Sequence, residues 1–131
     1  MKIKDILKEE KVHISFEVFP PKTDAGYESV LRATEKIAAL KPAFMSVTYG
    51  AGGGTSKNTA SIASQIQDDF HVTSLAHLTC VSSTKEEVHT VIENLKEKGI
   101  ENKMSLSNNH RATIYLEYFM QALMPFRAKA C

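Results

Sequence analysis

Cysteine is scarce: Cys80 and Cys131 are the two in a chain of 131 residues. They offer neither a disulfide framework nor zinc-ligand spacing, so free thiols in a reducing compartment are expected. Charge of one sign is also lacking, because 16 Lys and Arg residues against 15 Asp and Glu leave a formal charge of +1. With the basic residues scattered, that balance gives no electrostatic footprint for nucleic acid or an anionic membrane surface. Long apolar runs are missing as well. The segment from Ile114 to Met124, interrupted by Glu117 and Gln121, falls well short of the ~20 residues that span a bilayer. The opening "MKIKDILKEEKVH" carries acidic residues and no apolar core of signal-peptide length, so neither leader nor anchor is expected, and the cytoplasm is the compartment these features suit. No His/Cys/Asp cluster suggests a metal. Glycine is sparse too, at six residues, yet four of the six are crowded into "SVTYGAGGGTSKNT" between Ser46 and Thr59.

What is present is the composition of one soluble globular domain, with 43% hydrophobic and 24% charged residues. "VHISFEVF" (Val12 to Phe19) alternates, placing Ile14, Phe16 and Val18 on one face and Ser15, Glu17 and Phe19 on the other until Pro20 and Pro21 stop the pairing. A cap at Thr23 and Asp24 then precedes Tyr27, Val30, Leu31, Thr34, Ile37 and Ala38 at helical spacing. "FMSVTYG" (Phe44 to Gly50) reads as a second strand, and a Thr55/Ser56 cap opens a helix with the stripe Ile62, Ala63, Ile66 and Phe70. "VTSLAHLTC" (Val72 to Cys80) is a third strand. It leads to a capping box at Thr84 and Glu87, a helix with Val88, Val91, Ile92 and Leu95 inward, and Gly99 as its stop.

Three strand-helix units in succession require right-handed crossovers and a parallel α/β sheet, either closed as a (β/α)8 barrel or open and doubly wound. In both, ligands bind at the end where the loops after the strands collect. Glu17, Thr48, Tyr49, the glycines and His77 belong to that end. After Asn102 the character changes to a polar loop, followed by the apolar run ending at Pro125, which reads as a helix in need of cover from this chain or a partner.

Among these residues, the glycine-rich turn suits close approach of a flat or phosphorylated ligand to backbone, or else is simply a pliable loop; neither a dinucleotide fingerprint nor a phosphate loop is present. Glu17, flanked by Phe16, Val18 and Phe19, would be a candidate general acid if desolvated, and an ordinary strand-end carboxylate if solvated. His77 among Leu75, Ala76 and Leu78 suits a buried, hydrogen-bonded core histidine. Cys80 has no second histidine placed to activate it and reads as core.

"ISFEVFPPKT" (Ile14 to Thr23), "FMSVTYGAGG" (Phe44 to Gly53) and "LAHLTC" (Leu75 to Cys80), in that order, resemble the methylenetetrahydrofolate reductase family. The resemblance extends over about Val12 to Asn102 and implies the first three units of a flavin-dependent (β/α)8 TIM barrel. It also implies an activity: hydride passes from NAD(P)H to FAD and then to 5,10-methylenetetrahydrofolate, a folate, giving 5-methyltetrahydrofolate. By the same resemblance Glu17 corresponds to the general acid that protonates the folate, Thr48 to a nicotinamide contact, and Tyr49, Ala51 and His77 to flavin contacts.

The family's Leu-Arg-Gly-Asp segment on a fourth strand has no counterpart in "KMSLSNNHRATIYL". The sequence therefore divides into residues 1–102, the N-terminal part of a reductase-like barrel, and residues 103–131, a divergent tail of loop and apolar helix. A truncated reductase with little or no turnover follows from that division. The alternative is a non-catalytic module that binds flavin or another subunit. Open sheet edges make a homo-oligomer the expected state.

Overall fold

The computed structural model describes residues 1–49, 56–79 and 83–106. A short helix α1 (Ile3–Ile6) precedes strand β1 (Ser15–Val18), helix α2 (Tyr27–Ala38), strand β2 (Phe44–Val47), helix α3 (Ser56–Asp68), strand β3 (Ser74–Thr79), helix α4 (Lys85–Glu97) and strand β4 (Asn102–Leu106). The strands form one sheet in the order β1-β2-β3-β4, every neighbouring pair parallel. This is the α/β arrangement that the strand-helix alternation demands.

The predicted β1 is trimmed at its start. Val12 and Ile14 are 89% and 61% exposed, and strand geometry begins only at Ser15, opposite Phe44. From there the alternation holds. Phe16 and Val18 stand in register with Met45 and Val47, which in turn meet Ser74 and Ala76. This row faces the helices, where Met45, Val47, Ala76 and the α3 residues Ile62, Ala63 and Ile66 are completely enclosed. Tyr27, Val30, Leu31 and Ile37 of α2 pack against the same core. Thr34, also buried, keeps its hydroxyl satisfied by donating to the Val30 carbonyl at 2.8 Å.

Local chemistry sets the helix ends. At α4 the capping box forms as the sequence predicts: the Glu87 N–H donates to Thr84 Oγ1 at 3.2 Å and the Thr84 N–H to Glu87 Oε2 at 2.7 Å. The same helix stops in a Schellman motif, with Gly99 N–H donating to the Lys96 carbonyl and Ile100 N–H to the Leu95 carbonyl. Gly99 takes the left-handed φ of 66° that this ending needs. Before α2, by contrast, Thr23 makes no side-chain cap bond; a 3-10 turn over Asp24–Gly26 leads into the helix instead. The Thr55 part of the predicted α3 cap lies outside the described residues.

Beyond Asn102 the sheet continues as β4, where the sequence predicts a loop. Leu75 pairs with Asn102, His77 with Met104 and Thr79 with Leu106. Asn102 also ties down the chain's start: its Oδ1 accepts the Ile3 N–H at 3.0 Å, while its Nδ2 donates to the carbonyls of Met1 and Ser74. The predicted apolar helix from Ile114 lies outside the described residues.

Candidate functional site

Strand alternation sends Ser15 and Glu17, Phe44 and Ser46, Leu75 and His77, and Asn102 and Met104 to the face opposite the helices. At the C-terminal end of that face three side chains converge. Thr48 Oγ1 donates to Glu17 Oε1 at 2.8 Å, and His77 Nδ1 lies 3.7 Å from the same oxygen. Glu17 and His77 come from strands that are not neighbours. The register sets Ser46 opposite Glu17 and Leu75 opposite Ser46, and His77 follows two residues beyond Leu75 on the same face, toward the C-terminal end of β3.

Backbone holds this arrangement in place. The Thr48 N–H donates to the Val18 carbonyl at 2.9 Å, carrying the β1-β2 ladder one step past the strands. Its carbonyl accepts the hydroxyl of Thr59, a buried residue of α3, at 3.0 Å. Thr59 is a supporting residue that sequence reasoning missed; the signal available for it was a small hydroxyl residue in the first turn of the helix following β2.

Burial separates the members of the cluster. The His77 side chain is 8% exposed and that of Glu17 is 44% exposed. Glu17 therefore lacks the desolvation that its apolar neighbours in sequence suggested, because Phe16 and Val18 point to the other face. In place of burial it has partners: a hydroxyl donor, and an imidazole near enough for charge attraction once protonated. Thr48 and Tyr49 are both partly buried at the end of β2. Ala51, the glycines that follow it, and Cys80 lie outside the described residues, so the structure brings together Glu17, Thr48 and His77 from the predicted set.

Among the described residues, the arrangement offers a carboxyl group with one oxygen engaged by a hydroxyl and an imidazole near it, on the sheet face opposite the helices. Those groups fit a flat, hydrogen-bonding ligand lying across the ends of β1 to β3. No group of three or more His, Cys, Asp or Glu residues able to hold a metal occurs among the described residues, and none of their helices is long and apolar enough to cross a membrane. A hollow of about 450 Å3 opens at the opposite end of the strands beside Val12, His13, Leu40 and Pro42, away from the cluster.

Comparison with known proteins decides the lineage. The sequence model of the family described as methylenetetrahydrofolate reductase matches residues 2–112. The chain belongs to the methylenetetrahydrofolate reductase family. That match starts before Val12 and continues past Asn102, so β4 lies within it. "Methylenetetrahydrofolate reductase (NADH) 1" of Arabidopsis thaliana is 35% identical over 105 residues, which are 80% of this chain and 18% of the plant protein. "5,10-methylenetetrahydrofolate reductase" of Escherichia coli K12 is 34% identical over 96 residues, 73% of this chain and 32% of that enzyme. "Methylenetetrahydrofolate reductase 1" of Schizosaccharomyces pombe is 37% identical over 111 residues, 81% of this chain and 18% of the yeast protein. The match thus spans 18% to 32% of the length of these relatives, and the four parallel strands form one arc of a (β/α)8 barrel.

Proposed function

We propose that this chain carries the proton-donating part and one edge of the cofactor site of an oxidoreductase that reduces 5,10-methylenetetrahydrofolate to 5-methyltetrahydrofolate. The observation that carries the reading is the Glu17 carboxylate held at 2.8 Å by Thr48 at the C-terminal end of the sheet, in a chain of this family. Glu17 is the general acid that protonates the folate. Thr48 contacts the nicotinamide of NAD(P)H, while Tyr49, His77 and Ala51 line the flavin. FAD, when bound, supplies hydride transfer between the nicotinamide and the folate. The chain's own residues orient both rings and hold one exchangeable proton at Glu17, the group whose type and placement suit acid catalysis.

The share of each relative covered by the chain supports a further element of the reading: turnover requires barrel units beyond those described. Among the described residues β1 and β4 are the outermost strands of the sheet, which favours a second reading, a module that associates with another subunit or with a copy of itself, and light scattering on the purified chain addresses it. The catalytic reading is tested in a chimera where residues 1–106 replace the matching segment of the Escherichia coli relative. FAD retained through gel filtration, reduced by NADH and reoxidised by methylenetetrahydrofolate is the expected result. A folded chimera that keeps FAD and cannot reduce the folate contradicts it. In that protein His77→Ala lowers FAD occupancy after dialysis; unchanged occupancy removes His77 from the flavin site.

A further inference from the structure

Two of the side chains just assigned to the cofactors touch the carboxyl group as well, and both approach the same oxygen. Thr48 donates to Glu17 Oε1 at 2.8 Å and His77 Nδ1 stands 3.7 Å from it. We propose that Thr48 and His77 are positioning residues that dedicate the two oxygens of Glu17 to different tasks, Oε1 to anchoring and Oε2 to carrying and delivering the proton. The proposal rests on the reading of Glu17 as the acid and adds which atom acts and what selects it.

The selection follows from hydrogen-bond inventory. A hydroxyl has one proton to give, and that of Thr48 goes to Oε1. Thr48 is itself fixed from two sides, by its N–H on the Val18 carbonyl and by the Thr59 hydroxyl on its own carbonyl. The direction of its donation is thus set by the end of the β1-β2 ladder and the first turn of α3. A proton placed on Oε1 would have to share this side with an incoming donor, whereas among the described residues no hydrogen bond reaches Oε2.

His77 reinforces the bias. At 3.7 Å the contact exceeds a hydrogen bond and remains within electrostatic reach. In neutral imidazole one ring nitrogen carries the proton and the other a lone pair. A lone pair at Nδ1 would oppose the carboxylate, and an N–H there attracts it, so the Nδ1–H tautomer is the one this geometry favours. With the imidazole only 8% exposed, water does little to offset that preference. When Glu17 acts, the O–H bond at Oε2 breaks, the proton passes to the bound substrate and the electron pair stays on the carboxylate, whose Oε1 already accepts the Thr48 hydroxyl.

The test uses this chain, isotopically labelled, and needs no turnover. In alkaline solution the two ring-nitrogen shifts of His77 report the Nδ1–H tautomer, and three-bond couplings report a single Glu17 side-chain rotamer. Thr48→Val removes the hydroxyl with nearly unchanged shape, and the Glu17 couplings collapse toward the average of roughly three staggered wells. Thr48→Ser restores the single rotamer. An Nε2–H tautomer in the unsubstituted chain overturns the role of His77. Averaged Glu17 couplings in that chain, or unchanged couplings in a folded Thr48→Val variant, overturn the role of Thr48. Should the valine variant not fold, the unsubstituted and serine chains decide by the same couplings. Because these readouts report position alone, they separate a failure of this proposal from a failure of the folate-reducing reading.

Discussion

On the helix-covered face of the sheet Met45, Val47 and Ala76 are completely enclosed, whereas on the other face Glu17 and Met104 remain exposed. Both faces are made by alternate residues of the same strands, so a position's neighbour in sequence says little about its surroundings. The difference teaches how labour is divided in this fold: one set of alternating residues supplies cohesion, and the other is free to carry polar chemistry without interrupting the core. Substitutions on the first face should lower stability. Those at exposed positions of the second, such as Glu17, should change chemistry and leave stability nearly untouched.

The largest expected effect lies at the centre of the covered face. Ile66→Ala on α3, where the side chain is fully buried, should lower unfolding free energy by about 2–5 kcal/mol, measured by urea denaturation. A loss below ~1 kcal/mol would mean that this face is loosely packed and the contrast is false. Next in size is Thr84→Ala, which removes one half of the α4 capping box and should cost about 1 kcal/mol. Restricted amide-exchange losses in the first turn of α4, with the open face unaffected, would localise the effect.

Lys103 sharpens the comparison because it breaks the pattern. It pairs in register with Ala76 and so stands on the helix side of β4. Burial, aided by nearby Lys96 and opposed by Glu101 and Glu93, holds its ammonium below the ordinary lysine range. The unfolded chain therefore binds this proton more tightly than the folded one. Its destabilising contribution is present below the folded value and fades as pH rises toward the unfolded value. Lys103→Met should stabilise the chain slightly at neutral pH, within the ~0.5 kcal/mol of a peripheral change, and the gain should shrink in alkaline solution. A gain that grows with pH would contradict the assignment. The smallest change in stability belongs to Glu17→Gln, expected within ~0.5 kcal/mol by the same denaturation measurement because the side chain is 44% exposed.

Sequence pattern carried much of the fold. The α3 stripe Ile62, Ala63 and Ile66 is buried as its spacing requires, and the Thr84 capping box forms. β4 escaped notice because Lys103 and Ser105 gave "NKMSL" the look of a loop, although Asn102, Met104 and Leu106 alternate with them in strand fashion. The early start given to β1 failed at Val12 and Ile14, whose apolar side chains are exposed, although the Ile14 carbonyl still accepts the Ala43 N–H at 2.8 Å. At the site, the face of Glu17 was legible from alternation and its exposure was not, since exposure depends on what the opposite side of the sheet has over it. The approach of Glu17 to His77 was also beyond sequence pattern. The residues are 60 positions apart, and their meeting depends on strand order and register.

If Glu17 is the proton donor, its loss separates the two half-reactions in the chimera, and that separation is the most direct measurement. Glu17→Gln keeps the shape of the side chain and cannot deliver a proton. With the variant, rapid mixing should show FAD reduced by NADH at close to the unsubstituted rate, while reoxidation by methylenetetrahydrofolate falls by at least ~100-fold, the scale of a lost general acid. Folate-dependent reoxidation at an undiminished rate would contradict the account and return Glu17 to an ordinary carboxylate at the end of a strand.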